Sequence, residues 1–166
     1  KTLVKPSIDD ETARRIVETL ASAKNPVIYA GGGVALSKAF DELKAFVDHI
    51  NMPVAHSLMG KGVLSDDHPF TLGMTGFWGT KFTNDTCLAA DWVFGLGTRF
   101  KEADCSSWYR DYTFNFPPTK LIHIDIEPQE IGRNFPTEIG VVADLKAALK
   151  VLTRVAREMY PNGIKR

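Results

Sequence analysis

The sequence predicts a doubly wound α/β domain built on a parallel sheet, and three observations carry that prediction. Val27–Ala30 and Trp92–Leu96 are apolar along their whole length, as strands covered on both faces must be. Segments with an apolar stripe at helical spacing lie between the strand-like runs, and that alternation is the signature of crossover helices on a parallel sheet. Glycines follow the two runs at once, as Gly31-Gly32-Gly33 and as Gly97. Turns at the carboxyl ends of strands are where such folds open a ligand crevice.

Each element has a local reason. Asp9, Asp10 and Glu11 supply an N-cap and negative charge for a first helix, whose stripe is Ala13, Ile16, Val17, Leu20 and Ala21. Asn25-Pro26 stops it, and Val27–Ala30 is the first strand. A second helix is expected over 37–50, with Phe40, Leu43, Val47 and Ile50 on one face, ended by Asn51-Met52-Pro53. A strand at 54–57 and a loop at 58–69 follow, the latter marked by Gly60, Gly62 and Asp66-Asp67-His68-Pro69. Leu72-Gly73-Met74 reads as a short extended piece, 80–90 as a helix, 92–96 as a strand and 98–119 as a long aromatic loop. A strand at 121–126, a helical turn at 128–131 and a short strand at 141–142 come next. Asp144 caps a last helix carrying Leu145, Ala148, Leu149, Leu152, Val155 and Ala156.

Composition narrows the function. The 166 residues carry 20 basic and 20 acidic side chains, a balance that argues against a nucleic-acid partner. No apolar run approaches the roughly 20 residues of a membrane helix, so no membrane partner is expected. Cys87 and Cys105 are too few for a disulfide scaffold and lack zinc-site spacing; reduced thiols in a cytoplasmic protein are the expectation. Residues 1–10 and 159–166 read as linkers of a domain belonging to a longer polypeptide.

Chemistry-bearing motifs are sparse. Gly31 and Gly33 fit the first and third positions of a dinucleotide fingerprint, but the sixth is Leu36. No carboxylate stands at the end of the next strand, Val54–Ser57, where a ribose partner belongs. A tight turn for close helix–sheet packing explains the glycines equally well. His49, His56, His68 and His123 have no metal-site spacing, and His56 and His123 fall on strands as satisfied core residues. Nucleophile-elbow and phosphate-loop motifs are absent. The aromatics from Trp108 to Phe116 suit either a planar ligand or a domain interface. Gly76-Phe77-Trp78-Gly79 suits either backbone approach with ring stacking or a plain turn. No self-contained catalytic constellation emerges, so no catalytic residue and no metal ligand is assigned.

Several segments together resemble the central domain of thiamine-diphosphate-dependent enzymes of the acetolactate synthase group. They are 26–33 (PVIYAGGG), 57–69 (SLMGKGVLSDDHP), 72–80 (LGMTGFWGT), 90–100 (ADWVFGLGTRF), 123–134 (HIDIEPQEIGRN) and 142–145 (VADL). The resemblance implies a six-stranded parallel Rossmann-like sheet of the DHS-like NAD/FAD-binding type over 11–158, lying between two thiamine-binding domains. It implies thiamine diphosphate and magnesium in the parent protein, bound outside this chain, which has no Gly-Asp-Gly motif. The parent would be a 2-keto acid carboligase or decarboxylase, homodimeric or homotetrameric and cytoplasmic, and this chain alone would be inert. The domain would bind FAD, bind an adenine nucleotide or serve as an empty structural domain; carried over position by position, the FAD or nucleotide contacts fall on Gly31, Gly32, Gly33, Ser57, Leu58, Gly76, Phe77, Trp78, Arg99, Phe100, Asp125, Ile126, Asp144 and Leu145. The alternative is a free-standing nucleotide-binding module like that of electron-transfer flavoproteins.

Overall fold

The Asp9 carboxylate accepts the Thr12 amide at 2.8 Å and the Thr12 hydroxyl at 2.9 Å. It thereby caps a helix whose Ala13, Ile16, Val17 and Leu20 are buried. From that start the computed structural model, which describes residues 4–166, places an α-helix or a 3₁₀ turn between each strand and the next. The order is α1 (Asp10–Ser22), β1 (Pro26–Ala30), α2 (Gly32–Leu36), α3 (Phe40–Ile50), β2 (Val54–His56), β3 (Thr71–Met74), α4 (Lys81–Leu88), β4 (Trp92–Leu96), β5 (Lys120–Asp125), β6 (Ile139–Val142) and α5 (Leu145–Met159). Single turns of 3₁₀ helix stand at Leu58–Gly60, Gly76–Trp78 and Pro128–Glu130, and a kinked 3₁₀ segment at Ala103–Trp108.

The strands form one six-stranded sheet in the order β3-β2-β1-β4-β5-β6, and every neighbouring pair is parallel. The fold is therefore the doubly wound α/β arrangement the sequence predicts. Its strand order reverses between β1 and β4, so the crevice belongs at their carboxyl ends.

The two faces of the sheet are covered differently. Ile28, Ala30, Phe94, Leu96, Ile122 and Ile124 pack beneath α1, α3 and α5 in the larger core. Val27, Tyr29, Ala55, Val93 and Leu121, the alternate positions, face Cys87 of α4 and the rings of Phe100, Phe114 and Phe116. Phe100 is the hub of this second core, with ring centroids 5.2 Å from Tyr29, 5.7 Å from Phe114 and 5.5 Å from Phe135.

Several boundaries depart from expectation. The helix expected over 37–50 is two helices. α2 starts directly at Gly32, and Lys38, at φ 54°, turns the chain before α3. The extended piece at 72–74 is an edge strand from Thr71, and the last strand starts at Ile139 rather than 141. The aromatic stretch divides: Phe114 and Phe116 are core, while Tyr109 and Tyr112 are exposed. Both segments read as linkers lie against the domain, apart from residues 1–3, which are outside the described residues. Asp144 donates its amide to the Pro6 carbonyl at 2.9 Å. Ile164 is buried, and the Arg166 guanidinium donates to the Ala23 carbonyl at 3.1 Å.

The crevice is shaped by a crossing of two turns. Gly31 donates to the Leu96 carbonyl at 2.9 Å and Gly33 to the Gly97 carbonyl at 3.0 Å, so the turn after β1 lies on the turn after β4. A Cβ on Gly33 would stand 2.7 Å from the Gly97 Cα, and one on Gly31 would stand 2.2 Å from the Gly97 oxygen. Gly97 itself sits at φ +55°, where a side chain is strained.

Gly33→Ala forces backbone against backbone without any φ penalty of its own. It is expected to lower stability by about 1–3 kcal/mol, the usual cost of overpacking. A urea midpoint that falls at unchanged m-value checks it.

Candidate functional site

Three loops converge on the crossing and enclose a cavity of about 370 Å³. Gly32, Gly33 and Leu36 line it from α2, Ser57 and Met59 from the β2 loop, and Gly97, Arg99, Lys101 and Asp104 from the β4 loop. The Ser57 hydroxyl accepts the Gly60 amide at 3.1 Å, which closes the turn after β2. Gly60 must be bare because a Cβ there would lie 2.2 Å from the Ala30 carbonyl oxygen. The Asp104 carboxylate takes the Leu58 amide at 3.1 Å and ties the β4 loop to the β2 loop. The result is a shelf floored by main chain and walled by two cations, Arg99 and Lys101, with the Asp104 carboxylate engaged by the Leu58 amide beside them.

Of the sequence-derived positions, the structure brings Gly32, Gly33, Ser57 and Arg99 together on this cavity. Gly31 and Leu58 adjoin lining residues without lining the cavity themselves: Gly31 donates to the Leu96 carbonyl, and the Leu58 side chain is half exposed. Leu145 is buried below, its Cδ1 2.7 Å from where a Gly97 Cβ would be. Gly76 packs its main chain on Ala103 and Asp104. Phe77 and Trp78 are exposed, and Trp78 lines a separate cavity of about 360 Å³ beside His56, Lys61 and Met74.

Phe100 does not serve the cavity: its ring is the hub of the aromatic core, 3% exposed. Asp125 is buried at the end of β5, accepting the Glu127 amide at 2.9 Å; burial pushes its carboxyl above the ordinary carboxylate value. Ile126 is exposed beside it. The Asp144 carboxylate accepts the Ala147 amide at 3.1 Å and pairs with Lys5 at 3.0 Å, so it caps α5 and pins the N-terminal segment. None of these last three lines the cavity.

Sequence reasoning missed Lys101, Met59 and Asp104. Lys101 carried a signal, since it lies two residues beyond Arg99 in an exposed loop. Asp104 carried none, because its role depends on the β2 loop in space.

The histidines on strands are satisfied, as expected. His56 Nδ1 lies 2.9 Å from the Ser57 carbonyl oxygen, and His123 Nε2 lies 2.9 Å from that of Thr98. Burial pulls His123 below the ordinary imidazole value, with Asp125 pulling the other way. Both cysteines are free and buried. Burial pushes the Cys87 thiol to about 12 and raises Cys105 too, the reverse of an activated nucleophile. Among the described residues no group of His, Cys, Asp and Glu could hold a metal ion, and no helix is long and apolar enough to cross a membrane.

Comparison with known proteins gives the family. A family model described as "Thiamine pyrophosphate enzyme, central domain" matches residues 13–152. The chain belongs to that family. Glyoxylate carboligase of Escherichia coli O157:H7 is 41% identical over 160 residues, which are 96% of this chain and 26% of that protein. The probable acetolactate synthase large subunit of Methanococcus aeolicus is 42% identical over 137 residues, 82% of this chain and 22% of its own length. The acetolactate synthase large subunit of Lactococcus lactis is 35% identical over 152 residues, 88% of this chain and 25% of its own length. This thiamine pyrophosphate central domain spans about a quarter of the length of those relatives. The membership replaces the electron-transfer-flavoprotein alternative.

The buried thiols are expected to weaken the fold at alkaline pH. A thiol raised by folding stabilises the fold below its unfolded value of 9.0, and that contribution is lost as pH climbs through about 12. Stability measured by urea is therefore expected to fall between those values. Cys105 and Tyr29, shifted in the same direction by burial, add to the fall. Cys87→Ala makes that limb shallower; an unchanged slope would contradict the assignment.

Proposed function

We propose that this chain is the non-catalytic middle domain of an acetolactate synthase-like, thiamine-dependent 2-keto acid carboligase or decarboxylase, and that its β1/β4 cleft binds FAD or an adenine nucleotide. The observation that carries the second half is the shelf itself: bare main chain at Gly32 and Gly33 faced by Arg99 and Lys101. That donor set suits a pyrophosphate, because glycines admit phosphate to the backbone and the guanidinium and ammonium offset its charge. In this reading Gly31–Gly33, Arg99 and Lys101 hold the phosphates. Ser57 and Leu58 border the part of the ligand that extends along the β2 loop, toward Gly76, Phe77 and Trp78. Asp125 and Ile126, at the end of β5, mark the opposite end, where an acidic group accepts from ribose or adenine; Asp144, which caps α5, and Leu145, beneath Gly97, support that end from below.

Thiamine diphosphate with magnesium supplies the carbanion chemistry of such enzymes. We assign that cofactor to flanking domains of the same polypeptide, because this chain lacks the Gly-Asp-Gly motif. The exposed rings of Phe77, Trp78, Phe82 and Tyr112 suit burial against those domains. A homodimeric or homotetrameric, cytoplasmic parent fits the same reading.

Titrating the purified chain with ADP and with FAD tests the cleft. Saturable binding is expected, weakened about tenfold by Arg99→Ala through loss of one charge-assisted contact. Binding indifferent to that substitution would remove the cleft from the account. Incubation of the chain with thiamine diphosphate, magnesium and pyruvate or glyoxylate is expected to give no turnover, and measurable product would overturn the non-catalytic assignment.

A further inference from the structure

Glu130 is an unusual place for a carboxylate. It ends the 3₁₀ turn Pro128–Glu130 after β5, and its side chain is 7% exposed. One oxygen, Oε1, accepts from Arg133 Nη1 at 3.0 Å and stands 3.6 Å from Arg99 Nε. The other, Oε2, is buried without a hydrogen-bond partner. A carboxylate oxygen left bare in a buried setting is destabilising, and an apolar side chain of similar size would avoid that cost. Packing alone does not need the charge.

What the charge reaches decides its use. Arg99 lines the glycine cavity, and it also lines a neighbouring cavity of about 350 Å³ together with Lys101, Trp108, Arg133 and Asn134. Arg99 and Lys101 are thus the shared wall of two adjoining spaces. The Arg99 and Arg133 side chains are each 62% exposed, so without an anchor their guanidinium groups would sample many rotamers in water. The backbone beneath them is already fixed: Asn134 Nδ2 donates to the Arg99 and Phe100 carbonyls at 2.9 and 3.1 Å, and Trp108 Nε1 donates to the Phe100 carbonyl at 2.7 Å.

We infer that Glu130 is a positioning residue that holds Arg99 toward the phosphates of the cleft's ligand, with Arg133 as the second partner of its carboxylate. It acts through Arg99 and does not itself touch the ligand. A pre-organised cation binds with less loss of side-chain entropy, and that gain offsets the cost of the bare oxygen. The inference rests on the nucleotide reading of the cleft.

The test separates positioning from mere structure. Glu130→Gln keeps the shape and removes the charge. With the ligand absent, its thermal midpoint is expected to match or exceed that of the wild-type chain. Its Kd for ADP, by isothermal titration calorimetry, is expected to rise about five- to tenfold, the scale of one charged hydrogen bond. In the double variant Glu130→Gln with Arg99→Ala, the loss should be no greater than for Arg99→Ala alone, since both remove one coupled device. Glu130→Asp, which keeps the charge, should recover part of the affinity. A wild-type chain that binds ADP beside an E130Q variant that binds it equally well overturns this inference alone, as does a fully additive double variant. An E130Q midpoint many degrees lower at unchanged Kd makes Glu130 structural and overturns it too. A wild-type chain that binds neither ADP nor FAD overturns the nucleotide reading, and this inference with it.

Discussion

The backbone crossing at the ends of β1 and β4 is the constraint on which the rest of the domain depends. Two main chains meet there at a distance that admits no Cβ on Gly31, Gly33 or Gly97, and Gly60 repeats the arrangement against Ala30. The crossing fixes where α2 leaves the sheet. Leu145 lies directly beneath Gly97, so it also fixes where the last helix starts. A surface made of main chain is a poor core but a good shelf, because its amides and carbonyls stand where side chains would otherwise block approach. Fold and site are therefore one device: what lets the two turns pass also leaves room above them.

The second feature that binds core to cleft is the step from Arg99 to Phe100. Phe100 is driven inward by five aromatic neighbours, among them Tyr29, Phe116 and His123, and accepts a φ of +47° to get there. A non-glycine residue in that region is held by its surroundings, here by ring packing and by the donors that converge on its carbonyl. With Phe100 anchored inside, Arg99 is carried to the rim. The aromatic face is thus more than a lid over the sheet. It sets the height of the cation wall, and the helical face under α1, α3 and α5 leaves that task alone. The larger cavity of about 490 Å³ on that helical face, between α3 and α5, is ringed by Lys150, Arg154 and Glu158; Arg154 and Glu158 there already pair with each other, and no strand end reaches it.

Much of this was legible in the residues. Continuous apolar runs told of a sheet covered on both sides, and capping aspartates at Asp9 and Asp144 placed two helices to within a residue. The glycine positions marked the crevice. Three kinds of information were not local and so could not be read. α2 begins inside the glycine run, because Gly32 and Gly33 serve as both turn and helix. The aromatic stretch gave no period, since its rings are sorted by depth rather than by spacing: Phe114 inward, Tyr112 outward. Asp104 acts on a partner 46 residues away and Glu130 on Arg99, 31 residues away, distances that only the folded chain closes. The fourteen positions carried over from the family divide accordingly: Gly32, Gly33, Ser57 and Arg99 gather at the cavity, whereas Phe100 turns inward and Asp144 is engaged in capping.

The most direct test of the shelf is a two-dimensional ¹H–¹⁵N spectrum of the labelled chain recorded through an ADP titration. The account predicts that the amide signals of Gly32, Gly33, Gly97 and Arg99 move first and furthest, while those of α1 and of the α3–α5 groove stay in place. Shifts concentrated on that groove instead, or a spectrum that ADP leaves unchanged, would contradict it.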